Sequence, residues 1–75
     1  MADFCPGFRT TYGGDVIRDG MYLELVNDDS NDVVAEVFCA DVDGTMRISL
    51  YRWDLPLDVF ERFIAEAKRV LAHTN

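Results

Sequence analysis

The side chains in this 75-residue sequence with the means to do chemistry are its fourteen carboxylates, two cysteines and one histidine, and their spacing decides what they can do together. Asp41-Val42-Asp43-Gly44 opens like a calcium loop. With Gly44 in the sixth position, however, the first ligand is Cys39 and the twelfth Leu50, and neither supplies the oxygen such a loop needs. The run Asp28, Ser30, Asp32 puts Val33 where the glycine belongs and Cys39 at the last position. Both stretches read as turns and solvated loops, which Asp, Asn and Ser favour by bonding to their own backbone.

Cysteine catalysis requires a base held within hydrogen-bond reach of the thiol. His73 falls at the C-terminal end of a predicted helix, where an imidazole serves as a solvated partner of the helix dipole. Two separated cysteines and one histidine also lack the paired spacing of a zinc site, and Cys39 reads as a small core hydrophobe. Gly13-Gly14 stands alone and opens no helix, so it makes no phosphate-binding loop. The carboxylate pairs lie in turns, where no enclosing pocket is implied. The expectation is a protein without catalytic residues, cofactor or metal.

The net charge is −7, and it is unevenly placed: residues 1–55 hold eleven acids and four bases, while residues 56–75 hold three of each. Acidity repels phosphate backbones and anionic lipid, so neither nucleic acid nor a membrane is the expected partner. It suits a basic protein, or it simply keeps a small chain in solution. The sequence carries no signal-peptide pattern and no apolar run of bilayer length, so a cytoplasmic protein with reduced thiols is expected. A Cys5–Cys39 bridge would close a long loop, but two cysteines do not make a disulfide framework.

The elements that must position these residues follow from periodicity. Residues 1–14, with turns at Pro6-Gly7 and Gly13-Gly14 and aromatics at Phe4, Phe8 and Tyr12, read as an irregular aromatic arm that packs on the body. Asp15–Arg18 reads as a short first strand ending at the Asp19-Gly20 turn. Met21–Val26 alternates with Met21, Leu23 and Leu25 inward, and Val33–Ala40 alternates with Val33, Ala35, Val37 and Cys39 on that same side. Met46–Trp53 follows, with Met46, Ile48 and Leu50 inward. A two-residue turn at Asp43-Gly44 predicts Cys39 opposite Ile48 and Val37 opposite Leu50, whereas a four-residue loop slips the pairing by two and keeps the faces.

Pro56 fits the first position of a helix, with Asp58 and Glu61 near its positive end. Leu57, Phe60, Phe63, Ile64, Ala67, Val70 and Leu71 form the apolar stripe, with Asp58–Arg62 and Arg62–Glu66 as exposed pairs. The predicted fold class is α+β: a three- or four-stranded antiparallel β-meander with one C-terminal α-helix packed on one face, in β-β-β-α order. Residues 1–75 form a single domain, with the arm over 1–14, strands within 15–53 and the helix over 56–73.

One helix covers one face, so Tyr22, Val34, Phe38, Tyr51 and Trp53 on the other face still need a cover. Three covers are possible: the N-terminal arm, a second copy in a homodimer, or a different protein, for which Trp, Tyr and Arg are the favoured contact residues. Asp28, Asp29, Asp32, Asp41 and Asp43 form a candidate acidic rim. The expected function is a small acidic non-catalytic protein-interaction module that binds another protein or itself. The alternative is an acidic inhibitor that imitates nucleic acid in the basic groove of a nuclease or DNA-binding protein. A small enzyme comes third, beside a single-strand binder, which lacks a basic surround beyond Arg47 and Arg52.

Overall fold

The computed structural model describes residues 5–72, so Phe4 and His73 lie outside the described residues. Four antiparallel strands make one sheet in the order β1-β2-β3-β4, and one C-terminal helix packs on it. The strands are β1 (Phe8–Asp15), β2 (Gly20–Asn27), β3 (Val33–Ala40) and β4 (Met46–Leu50), and the helix is α1 (Leu57–Leu71). The class is α+β in the order β-β-β-β-α.

The fourth strand comes from the segment expected to be an irregular arm. Residues Phe8 to Asp15 pair with β2 from Phe8↔Asn27 to Asp15↔Gly20. The glycines that argue against a strand are what allow it here. A side chain at Gly13 would sit 2.7 Å from the Tyr22 hydroxyl oxygen, so the missing Cβ makes room for that ring to lie on β1. Residues 16–18, expected as part of the first strand, join Asp19 in the turn. Asp15 accepts hydrogen bonds from the Ile17 and Arg18 amides, which closes it.

The β3–β4 connection is the four-residue loop Asp41–Gly44, closed by the Gly44 amide on the Ala40 carbonyl at 2.8 Å and the Ala40 amide on the Thr45 carbonyl at 3.0 Å. The register is therefore Cys39↔Met46, Val37↔Ile48 and Ala35↔Leu50, two residues away from the pairing of a two-residue turn. The faces are unchanged, because a slip of two preserves the pleat.

Helix α1 begins after Pro56, with Asp58 in its first turn and Lys68 and Arg69 in its last, as the macrodipole favours. Its buried line is Val59, Phe63, Ala67 and Leu71, spaced by four. Leu57, expected in that line, is exposed, and Val59 takes its place. Among the described residues of the helix, the ion pair formed is Glu66–Arg69 rather than the expected Asp58–Arg62 or Arg62–Glu66.

The helix contacts β2 and β3. Its width of about 10 Å matches two strands set about 4.8 Å apart, not four. Leu23, Leu25, Ala35 and Val37 are consequently sealed, together with Cys5 from the N-terminal segment. Ile48 and Leu50 belong to the same face but stand 42% and 56% exposed on β4, which corrects their expected place in the core.

Candidate interaction surface

The side of the sheet away from the helix has its own order. Across the four strands its rows read Asp15, Gly20, Ala40; then Gly13, Tyr22, Phe38, Arg47; then Thr11, Glu24, Glu36, Ser49. Tyr22 and Phe38 are half-buried. Tyr22 lies over Gly13, and the Phe38 ring lies over Gly20, where an added Cβ would come within 2.5 Å of it and 2.3 Å of the Cys39 carbonyl. These two aromatics are thus laid flat on glycines of neighbouring strands.

Arg18 completes the cover from the β1–β2 turn. Its guanidinium sits 4.3 Å from the centre of the Phe38 ring and donates to both carboxylate oxygens of Glu36, at 3.2 and 2.9 Å. Glu36 is only 7% exposed and faces Glu24 directly across β2, so Arg18 supplies the charge that makes this placement tolerable. Arg18 is held in its charged form first by Glu36 and then by Asp15. In return, its hydrogen bonds hold the Asp15 carboxyl below its ordinary value. A two-residue β3–β4 turn would set Glu36 opposite Tyr51; with the four-residue loop it pairs with Ser49. The pairing of Arg18 with a mid-strand glutamate has no signal in local spacing.

Of the five residues expected to share an aromatic face, the structure keeps Tyr22 and Phe38 together on this side. Val34 leaves them. The β2–β3 register shifts between Leu25 and Val26, so that Val26 pairs with Val33 and Val34 becomes an inserted residue. Such a bulge breaks the alternation of faces. Val34 is 1% exposed and joins the buried cluster of Leu25, Val59 and Phe63 under the helix. Among the described residues of the N-terminal segment, Cys5 and Phe8 pack in the helix-side cluster rather than on the aromatic side. Tyr51 and Trp53, beyond the end of β4, are 58% and 91% exposed.

The acidic rim divides in two. Asp28, Asp29 and Asp32 lie in the β2–β3 loop, and Asp41 and Asp43 in the β3–β4 loop, at opposite ends of the eight-residue β3. That strand spans roughly 24 Å. Several of these groups serve the loops themselves. Asp28 accepts from Arg9 at 2.9 Å, and Asp43 accepts from the Thr45 amide at 2.9 Å, which holds its carboxyl below its ordinary value. Among the described residues no group of three His, Cys, Asp or Glu side chains is placed to hold a metal ion, and no helix is long and apolar enough to cross a membrane. Cys5 pairs through Phe8 with the Asn27 end of β2, and Cys39 pairs with Met21 at the other end. Six residues of strand separate them by roughly 20 Å, too far for a disulfide.

What stands open is the β4 side. Ile48, Leu50, Tyr51 and Trp53 are exposed in one stretch, beside a groove of about 170 Å³ bounded by Met46, Ile48, Ile64, Ala67 and Lys68. β4 is also an end strand, so among the described residues it carries a row of main-chain groups with no neighbouring strand. The other end strand, β1, presents Thr10, Thr11, Gly13 and Gly14 around a single exposed aromatic, Tyr12. Val16, Ile17 and Val42 are exposed at turn tips. Val16 and Ile17 are a neighbouring pair and Val42 stands alone, none of them part of a strand edge. No protein-family model matches the chain, and neither a curated protein nor a solved structure is significantly similar to it.

Proposed function

We propose that this chain is a small, acidic, non-catalytic protein-interaction module of the cytoplasm, and that it works through β4 and the segment that follows it. The observation that carries this reading is the coincidence of four exposed apolar side chains, Ile48, Leu50, Tyr51 and Trp53, with a strand edge. A strand edge offers main-chain hydrogen bonds, and flanking apolar pockets add selectivity, which together make the β-augmentation mode of protein recognition. Trp and Tyr are the side chains that most often dominate such contacts. The acidic loops at both ends of the sheet act as a rim that turns away surfaces whose own acids would face them.

The test is site-specific photo-crosslinking in the cell that makes the protein. A photoreactive residue is placed at Tyr51 or Leu50, and at Val42, which is still more exposed, as a control in the β3–β4 loop. Adducts at positions 50 and 51 but not 42 are expected. Adducts at none of the β4 positions would remove the proposal.

A further inference from the structure

We propose that the occupant of β4 is a second copy of this chain, paired antiparallel to it about a two-fold axis at Ser49. This rests on the reading of β4 as the interaction surface and names its partner. The phase of the ladder comes first. The Ala40 amide donates to Thr45 and the Tyr51 amide donates to Val34 at 2.9 Å, so residues 45, 47, 49 and 51 turn their main-chain groups toward β3. Met46, Ile48 and Leu50 turn theirs outward. An arriving strand must bond to these three.

Two identical strands paired antiparallel keep their apolar faces together only if the axis passes through a residue, because a one-residue offset inverts the pleat. With the axis at Ser49, Ile48 lies opposite Leu50 of the second copy, and both have outward main-chain groups. Arg47 lies opposite Tyr51 of the second copy, a guanidinium against an aromatic ring, and the two Ser49 hydroxyls meet at the centre. An axis at Ile48 sets Arg47 against Ser49, and one at Leu50 sets Ile48 against Arg52. Only the Ser49 axis makes the run Arg47-Ile48-Ser49-Leu50-Tyr51 complementary to itself, as an isologous interface requires.

Charge favours the same partner. In a chain of net charge −7, residues 44–53 contain Arg47 and Arg52 and no carboxylate. Here two acidic molecules meet without opposing their acids, and Arg47 finds a ring instead of a like charge. The helix, standing over β2 and β3, leaves the β4 flank open, so Ile48 and Leu50 from both copies extend one apolar floor beside the groove. A foreign acidic strand would satisfy Arg47 but gains nothing from this internal symmetry.

The experiment measures the mass of the full chain by sedimentation and light scattering from about 1 to about 300 µM, the range in which small interfaces assemble. A rise from one chain to two is expected. Leu50→Lys, a change at an exposed position, is expected to weaken the dimer at least tenfold while circular dichroism stays unchanged. The axis is tested by Ser49→Cys in a Cys39→Ala background. A pair across the non-hydrogen-bonded site, about 4.5 Å between Cα atoms, oxidises readily to a disulfide-linked dimer. Arg47→Cys is expected to cross-link with Tyr51→Cys and not with itself.

A chain that stays monomeric over the whole range, or a dimer indifferent to Leu50→Lys, overturns the proposal. A dimer sensitive to Leu50→Lys in which Ser49→Cys does not cross-link overturns the Ser49 axis. A monomer that still forms adducts with a foreign protein at position 51 leaves the interaction module standing and removes only its self-pairing; a monomer with no adduct removes both.

Discussion

Leu25 and Leu50 occupy one row of the sheet, Thr10-Leu25-Ala35-Leu50, on the side that faces the helix. They differ in being under the helix or beyond its edge. Truncating a fully buried leucine costs roughly 2.7–5 kcal/mol, the sum of lost transfer energy and the cavity left behind. Leu25 is 0% exposed, so Leu25→Ala falls in that range. Leu50 is 56% exposed. Its truncation removes three carbons worth about 0.8 kcal/mol each if wholly buried; with under half hidden and no cavity formed, the loss is about 1 kcal/mol. At about 4–8 °C per kcal/mol for a domain of this size, Leu25→Ala lowers Tm by roughly 10–40 °C and Leu50→Ala by no more than about 8 °C. Far-ultraviolet circular dichroism is the assay, since Trp53 is too exposed to report on the core. The melts are run near 1 µM, where a weak dimer is dissociated. If Leu50→Ala destabilised the chain as much as Leu25→Ala at that concentration, the claim that one helix seals only two strands would be refuted.

Gly20→Ala drives a Cβ to 2.3 Å from the Cys39 carbonyl, which the β2–β3 ladder holds in place. A loss of roughly 1–3 kcal/mol or more by denaturant titration is expected. Gly14→Ala comes no nearer than 3.4 Å to the flexible Met21 sulfur and 3.9 Å to the Gly20 carbonyl, so its effect stays within roughly 1 kcal/mol. Asp15 and Asp43 have carboxyls held below their ordinary value of 3.8, by Arg18 and by Thr45 respectively. Each therefore contributes stability that is full above that pH and lost as pH falls through the lowered value. Asp15→Asn and Asp43→Asn should be less stable at neutral pH and shallower in their acid limb, as read from Tm against pH. Finally, Arg18→Met and Glu36→Gln should show strong coupling in a double-mutant cycle, the double variant being more stable than the sum of the single changes implies. Simple additivity there would mean that Arg18 does not neutralise Glu36.

Much of the fold was legible in local pattern. The alternation of Met21–Leu25 and Val33–Cys39 and the four-residue spacing of Phe63, Ala67 and Leu71 each assign a face without reference to a neighbour. Pattern misjudged β1 because Gly13 and Gly14 are poor strand residues by themselves. Their fitness lies in the ring of Tyr22 on the next strand. It misjudged Val34 because a bulge is set by how β2 and β3 align, and a single inserted residue exchanges one face for the other. The aromatic set reads as one face in need of a cover; in the fold Tyr22 and Phe38 share a side and lie down on Gly13 and Gly20, while Tyr51 and Trp53 stand exposed beyond β4.

The sequence by itself determined which residues share a side, away from the bulge at Val34, that a helix follows the sheet, and that Met46–Trp53 carries two arginines and no acid. These are properties of residue type and spacing, and they survive even a two-residue slip of register. Only the tertiary structure decided which apolar residues are sealed, because that depends on the width of one helix against the width of four strands. It also decided that Arg18 reaches Glu36 from eighteen residues away. Burial and long-range pairing are distances in space, and no period along the chain encodes them. That is why β4 emerged only in three dimensions as an apolar edge beyond the reach of the helix.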